Sequence, residues 1–400
     1  MNVSPISDSE FAASVMAVPP LARHADYSLD AAQNQKLIRH IEAGGVRTLL
    51  YGGNANLYHV AVSEYRELLD LLAGSAAPGT RVIPAIGPDY GKMLDQARIL
   101  AQTNYRTAMV LPLAGMTTSE GVEEGLARVV DIAGMPLTLY IKNENYVDVD
   151  ALARLVDRGT LIAVKYAIIR DNPADDVYLK RLLESVSPAK VISGMGERPA
   201  LVHVRDFGLA AWTTGSGCIA PHAVMALLRA AKEGRTDEAQ RIGDAFMPLE
   251  TLRDDISLIR VLHDAVSFSK IADMGAILPL LSSTPVAHHA KIVAATEALL
   301  AFERQLAALQ RLQRRFGNRL AQRLALLGAR FREHFDERVL VDSRLDHGHS
   351  FRGGRACTSQ SLHVLAAVDR DVGAGHEGRL VRREVDDQPG HFLGLAEPAD

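Results

Sequence analysis

From residue 14 to about residue 235 the chain repeats one pattern: a short apolar run, then an amphipathic stretch, in units of roughly 25 to 35 residues. The runs are SVMAVPP (14–20), RTLLYGG (47–53), RVIPAIG (81–87), TAMVLPL (107–113), PLTLYIK (136–142), LIAVKYA (161–167), KVISGM (190–195) and LAAWTTGSG (209–217). Strands that alternate with helices build a parallel sheet, since each parallel connection needs a crossover. Open doubly wound sheets usually have five or six such units and a glycine fingerprint in the first turn, and no G-x-G-x-x-G follows the first run here. Eight units point instead to an α/β fold closed as a (β/α)8 TIM barrel.

The stretches between the runs carry helix signals. SLDAAQNQKLIRHIEAGG has Ser28 as a candidate N-cap and Gly44 as a stop, and VSEYRELLDLLAG reads as a second helix. After the barrel, TDEAQRIGDAFMPLETL and AKIVAATEALLAFERQ read as further helices. The expected organisation is an N-terminal extension (1–13), the barrel (14–235), C-terminal helices packed on its side (236–305) and an Arg-rich extension (306–400). In that last stretch no lysine occurs, arginine is abundant and apolar periodicity fades, which suits a solvated, irregular or disordered tail, or an extension without an evolved fold.

A formal charge of -4 with 48% hydrophobic residues gives no bulk attraction to nucleic acid or to an anionic membrane surface. No run approaches the span of a bilayer, and the first twenty residues lack the basic start and apolar core of a signal peptide. The two cysteines, Cys218 and Cys357, show no paired spacing, which fits a reducing cytoplasm. HH at 288–289 and HGH at 347–349 lack further ligands at metal-site spacing, so neither metal nor cofactor is expected. The expected partner is a small molecule.

One residue breaks the apolar pattern. In TLIAVKYAIIR (160–170) Lys165 interrupts a run rich in β-formers. Strand alternation puts Ala163, Lys165 and Ala167 on one face, and on the preceding run Thr138, Tyr140 and Lys142 share a face. If both faces point inward, a phenol and an amine from adjacent strands converge at the barrel's mouth, where such barrels gather their chemistry. A desolvated lysine has its pKa lowered, and the neutral amine attacks a ketone to form an imine. A phenol beside it can relay the protons. The alternative is a lysine that snorkels to the rim or pairs with a carboxylate.

With these residues in place, the sequence from about 14 to 300 resembles the pyruvate-dependent class I lyases typified by dihydrodipicolinate synthase and N-acetylneuraminate lyase. The resemblance implies Lys165 as the Schiff-base lysine and Tyr140 as the proton-relaying phenol. It also sets YGGNANLYHVAVSEY where the family has a glycine, two threonines, a glycine and an acid, with Glu64 in register with the family's glutamate. Backbone N–H groups around Gly52, Gly53 and Asn54 would then receive the carboxylate of a 2-oxo acid; taken alone, the two glycines read as a tight turn. Gly194, in SGM at 193–195, matches a glycine that lets substrate approach the backbone. A homo-oligomer is implied as well.

The departures are specific. Gly53 and Asn54 replace both threonines, Leu113 and Ala114 stand where dihydrodipicolinate synthase has a second relay tyrosine, and Asn145 falls where an arginine grips the aldehyde's carboxylate. An amide does not reproduce that bidentate fork. Lys142 is either a substitute contact that also depresses the pKa of Lys165 or an exposed loop lysine. The expected function is a lyase, of aldolase or dehydratase type, acting on a 2-oxo acid such as pyruvate or a 2-keto-3-deoxy sugar acid. The synthase of lysine biosynthesis proper and a non-catalytic binding or regulatory barrel are the alternatives.

Overall fold

The computed structural model describes residues 1–113 and 115–316, with side chains to 311; Ala114 and the expected tail from 317 onward lie outside the described residues. Each of the eight expected runs contains a strand: β1 Met16–Ala17, β2 Thr48–Tyr51, β3 Arg81–Ile86, β4 Met109–Val110, β5 Leu137–Ile141, β6 Leu161–Tyr166, β7 Val191–Ser193 and β8 Ala211–Thr214. All pair in parallel in chain order, and β8 pairs back with β1 to close the barrel. The shortest strands are continued by single bonds beyond their ends. Val18 N donates to Thr214 O at 2.9 Å, and Leu111 N donates to Ile86 O at 3.0 Å.

Register fixes which side chains fill the interior. Tyr140, Lys165, Ile192 and Ala211 stand level across β5 to β8, and Ala85, Met109, Thr138 and Ala163 form a level across β3 to β6. Alternation sends their neighbours Leu139, Val164 and Tyr166 to the outer helix layer, where all three are buried. At the bottom, inward Arg81 forms a two-pronged pair with Glu10, at 2.6 and 3.0 Å, and donates to Ser4 O at 2.9 Å. Glu10 belongs to α1 (Asp8–Ala13), whose Phe11 is buried, so the expected N-terminal extension packs under the barrel and satisfies a buried cation.

The outer layer is α2 Ala31–Ala43, α3 Val62–Ser75, α4 Tyr90–Leu100, α5 Ser119–Ala133, α6 Val149–Asp157, α7 Val177–Ser185, α8 Ala200–Asp206 and α9 Pro221–Lys232. Ser28 does not cap α2. Its hydroxyl donates to Asp26, and Asp30 is the N-cap, accepting from Gln33 N at 3.0 Å. Gly44 ends α2 in ordinary helical conformation; its missing side chain matters because a Cβ there would meet Pro221 of α9 at 2.3 Å.

Beyond the barrel, the stretch expected as one helix is broken into α10 Thr236–Asp244 and α11 Met247–Asp255, with Pro248 in the first turn of α11, where a missing N–H costs nothing. After α12 (Leu258–Phe268), α13 runs Val286–Phe316, so the expected boundary at 305 falls inside a helix. Glu303 of α13 accepts from His222 N at 3.0 Å and Ala223 N at 2.8 Å, which satisfies free amides at the start of α9 and pins the C-terminal helices to the barrel. Among the described residues no helix is long and apolar enough to cross a membrane.

Candidate active site

The inward face of β6 carries Lys165, only 6% exposed, on the C-terminal half of its strand. Its Nζ stands 3.5 Å from the centroid of the Tyr140 ring on β5. The expected pair is therefore brought together, with the amine over the aromatic face. A ring face favours an ammonium by about 0.5–2 kcal/mol. The opposing influences prevail: burial, then the charge of Lys142, then that of Arg253, lower the amine's pKa to about 7. At pH 7 roughly half of such an amine is neutral, against fewer than about one in a thousand for an ordinary lysine. Burial, with a smaller contribution from nearby Tyr58, pushes the Tyr140 phenol well above its usual range, so Tyr140 is a proton donor at neutral pH.

Gly194 closes the third side. A Cβ there would lie 3.0 Å from Lys165 Cγ, 2.9 Å from Tyr166 O and 2.8 Å from Ala167 Cβ, so only glycine leaves the lysine stem its room. Gly52 is tight for a similar reason: a Cβ would meet Met109 Cε, on the inward face of β4, at 2.6 Å. Gly53 is under no such constraint, its nearest neighbour being Tyr58 at 3.6 Å. Asn54 turns its amide to the barrel wall, donating to Val18 O at 2.9 Å. Glu64 is held by buried Arg23 at 2.5 Å. Lys142 and Asn145 sit exposed on the loop after β5, where Asn143 accepts from Asn145 N at 2.8 Å. His59 is exposed.

A group of charges that sequence reasoning missed lies beyond Gly194. Glu197, in the loop after β7, accepts from the hydroxyl of Thr214 and from Trp212 Nε1 at 3.4 Å, while its Oε2 is buried without a partner. Glu250 of α11 accepts from the Ser216 hydroxyl and from Arg253 Nη1 at 2.5 Å. All three charged residues are at most 4% exposed. Burial, reinforced by the charge of Glu250, pushes the Glu197 carboxyl up to about 8, so it is mostly protonated at neutral pH. In sequence these residues look like any charges on a loop and a surface helix; only the packing of α11 against the loops after β7 and β8 buries them.

No family model matches the chain, and no curated protein matches it. Solved structures share its fold. It is similar to dihydrodipicolinate synthase from Bacillus clausii, at 17% identity and a TM-score of 0.64, covering 74% of this chain and 99% of that one. The synthase from Agrobacterium tumefaciens matches at 19% identity and a TM-score of 0.65, over 73% of this chain and 100% of that one. N-acetylneuraminate lyase from Proteus mirabilis matches at 15% identity and 0.63, over 72% and 98%.

Proposed function

We propose that the chain is a Schiff-base lyase of the dihydrodipicolinate synthase and N-acetylneuraminate lyase type, acting on a 2-oxo acid. The observation that carries this is Lys165: an amine buried inside the barrel, titrating near neutrality, on the face of a tyrosine from the adjacent strand. The shared fold with a synthase and a lyase supports it. Neutral Nζ adds to the C2 carbonyl; the nitrogen gives up one proton as the oxygen takes one up, which gives a neutral carbinolamine. Loss of the hydroxyl as water, with a second proton supplied, leaves a protonated imine. That imine accepts the electron pair released when the C3–C4 bond breaks or a C3 proton leaves. Tyr140, protonated at rest, donates and recovers the protons.

Backbone N–H groups at Gly52, Gly53 and Asn54 are the proposed seat of the substrate carboxylate, and Lys142 and Asn145 line the rim. Since Asn54 is engaged with Val18, its backbone rather than its amide would serve. The composition and the two cysteines suit a cytoplasmic enzyme, and the likeness in fold suits a homo-oligomer. Incubation with pyruvate and borohydride should add one reduced pyruvyl group by intact mass, and Lys165→Ala should remove it without loss of fold. An unmodified wild type across a panel of 2-oxo acids would leave a binding barrel as the better reading.

A further inference from the structure

The loop after β2 curls back on itself. Asn56 N donates to Gly53 O at 2.8 Å and Leu57 N donates to Gly52 O at 3.2 Å, with Asn56 in the left-handed region at φ 58°. The next turn is closed by His59 N on Asn56 O at 3.0 Å, and the Tyr58 carbonyl is held by Lys92 Nζ of α4 at 2.8 Å. These bonds bring the half-buried Tyr58 ring against residue 53: its Cε2 lies 3.6 Å from where a Cβ of Gly53 would stand. Cε2 is bonded to the ring carbon that bears the hydroxyl, so the hydroxyl edge of the ring is the one beside the Gly53 backbone. Among the described residues the N–H groups of Gly53 and Asn54 have no acceptor, and the Tyr58 hydroxyl has no hydrogen-bond partner. Three donors without an acceptor thus stand at one turn. The turn borders the barrel interior, since a Cβ on adjoining Gly52 would meet inward Met109 at 2.6 Å.

We propose that Tyr58 is a substrate-binding residue, whose phenol donates to the carboxylate of the 2-oxo acid seated on the Gly53 and Asn54 amides. This rests on the reading of that turn as the carboxylate seat of a 2-oxo acid enzyme. Backbone amides in a turn make a small anion nest, and a phenol at its edge adds a charge-assisted hydrogen bond. Burial raises the Tyr58 pKa, so the hydroxyl keeps its proton and is a donor at neutral pH. The bare backbone at Gly53 gains a reason as well. Packing alone would admit a Cβ there, since 3.6 Å is ordinary contact, but a longer side chain would fill the space between the ring and the amides. Two tyrosines then divide the work: Tyr140, against Lys165 Nζ, handles protons, and Tyr58, against Gly53, holds the acid.

The test compares wild type with Tyr58→Phe, which keeps the ring and removes only the hydroxyl, using pyruvate and its methyl ester as probes. Tyr58→Phe should raise the pyruvate concentration that half-saturates borohydride-trapped labelling of Lys165 by roughly ten- to a hundredfold, as for one lost hydrogen bond to a charged group. Methyl pyruvate keeps the ketone but has no carboxylate, so its half-saturation should be the same in both proteins. Unchanged half-saturation by pyruvate overturns the proposal, and so does a loss that falls equally on pyruvate and its ester, which is what a merely structural ring would give. Calorimetric titration of both proteins with pyruvate, without borohydride, reads the same ratio whether or not an imine forms. A wild type that binds pyruvate but takes no label would overturn the lyase reading, and the two titrations would then decide the Tyr58 contact by themselves. Labelling of Lys165 that is indifferent to Tyr58→Phe would overturn the contact and leave the lyase reading standing.

Discussion

Gly194→Ala tests the steric reading of the site with a single methyl group. The new Cβ would stand 2.8 Å from Ala167 Cβ, 2.9 Å from Tyr166 O and 3.0 Å from Lys165 Cγ, each well inside ordinary contact. Tyr166 O cannot retreat easily, because it accepts from Gly194 N at 2.6 Å in the sheet ladder. Ala167 Cβ is likewise fixed to backbone that donates to Ile141 O at 2.8 Å. The lysine stem is the part able to move. Gly194 is not in the left-handed region, so alanine there acts through these contacts alone. Overpacking of this kind costs about 1–3 kcal/mol, which should lower the melting temperature by a few degrees. Displacing the amine by about 1 Å from the Tyr140 face should slow imine formation by about a hundredfold. Thermal melting and the rate of borohydride-trapped labelling by pyruvate measure the two effects separately. Wild-type labelling with wild-type melting would refute the close approach of Gly194 to Lys165.

Other outcomes follow from single groups. Glu303→Ala strands the His222 and Ala223 amides at the start of α9 and should cost about 2–3 kcal/mol by denaturant melting, with the C-terminal helices becoming more open to proteolysis. Glu197 binds its proton more tightly folded, near pH 8, than unfolded, near 4.5. Its contribution to stability is thus fully present below pH 4.5 and lost as the pH rises toward 8. Glu197→Gln should accordingly gain on wild type between pH 5 and 8, with a slope of at most about 1.4 kcal/mol per pH unit, the value for one proton; equal slopes for the two proteins would contradict a buried protonated acid. Asn145 stands exposed on the rim beside Lys142, with no arginine fork, so aldehydes bearing a second carboxylate should show no advantage in turnover over uncharged ones in a side-by-side rate comparison.

Strand order and the facing of Lys165 and Tyr140 were legible because alternation along a strand is strict and each run was bounded by turn residues. The placement of the amine over the ring face was not, since alternation fixes a side chain's direction but not its rotamer. At the cap of α2, Ser28 and Asp30 are both good N-cap residues, and the choice fell to Asp30 because Asp26 engages the Ser28 hydroxyl in a turn of its own. The break between α10 and α11 was readable in Pro248, which cannot continue a helix from the preceding turn. Glu197, Glu250 and Arg253 carried no signal: charges in GERP and ETLRDD look solvated until the fold covers them. Gly44 stops α2 as its sequence suggested, but its contact with Pro221 was not readable, because it joins helices far apart in sequence.

The central claim is that Lys165 is an amine poised near neutrality to form an imine. The most direct measurement is the rate of pyruvate and borohydride labelling against pH, with the label located by peptide mass. The expected profile rises through a midpoint near 7 and then levels off, with the label on Lys165, since the amine is protonated below that value and free above it. A rate that keeps climbing toward pH 10, as for an ordinary lysine, or a label on Lys142, would contradict it.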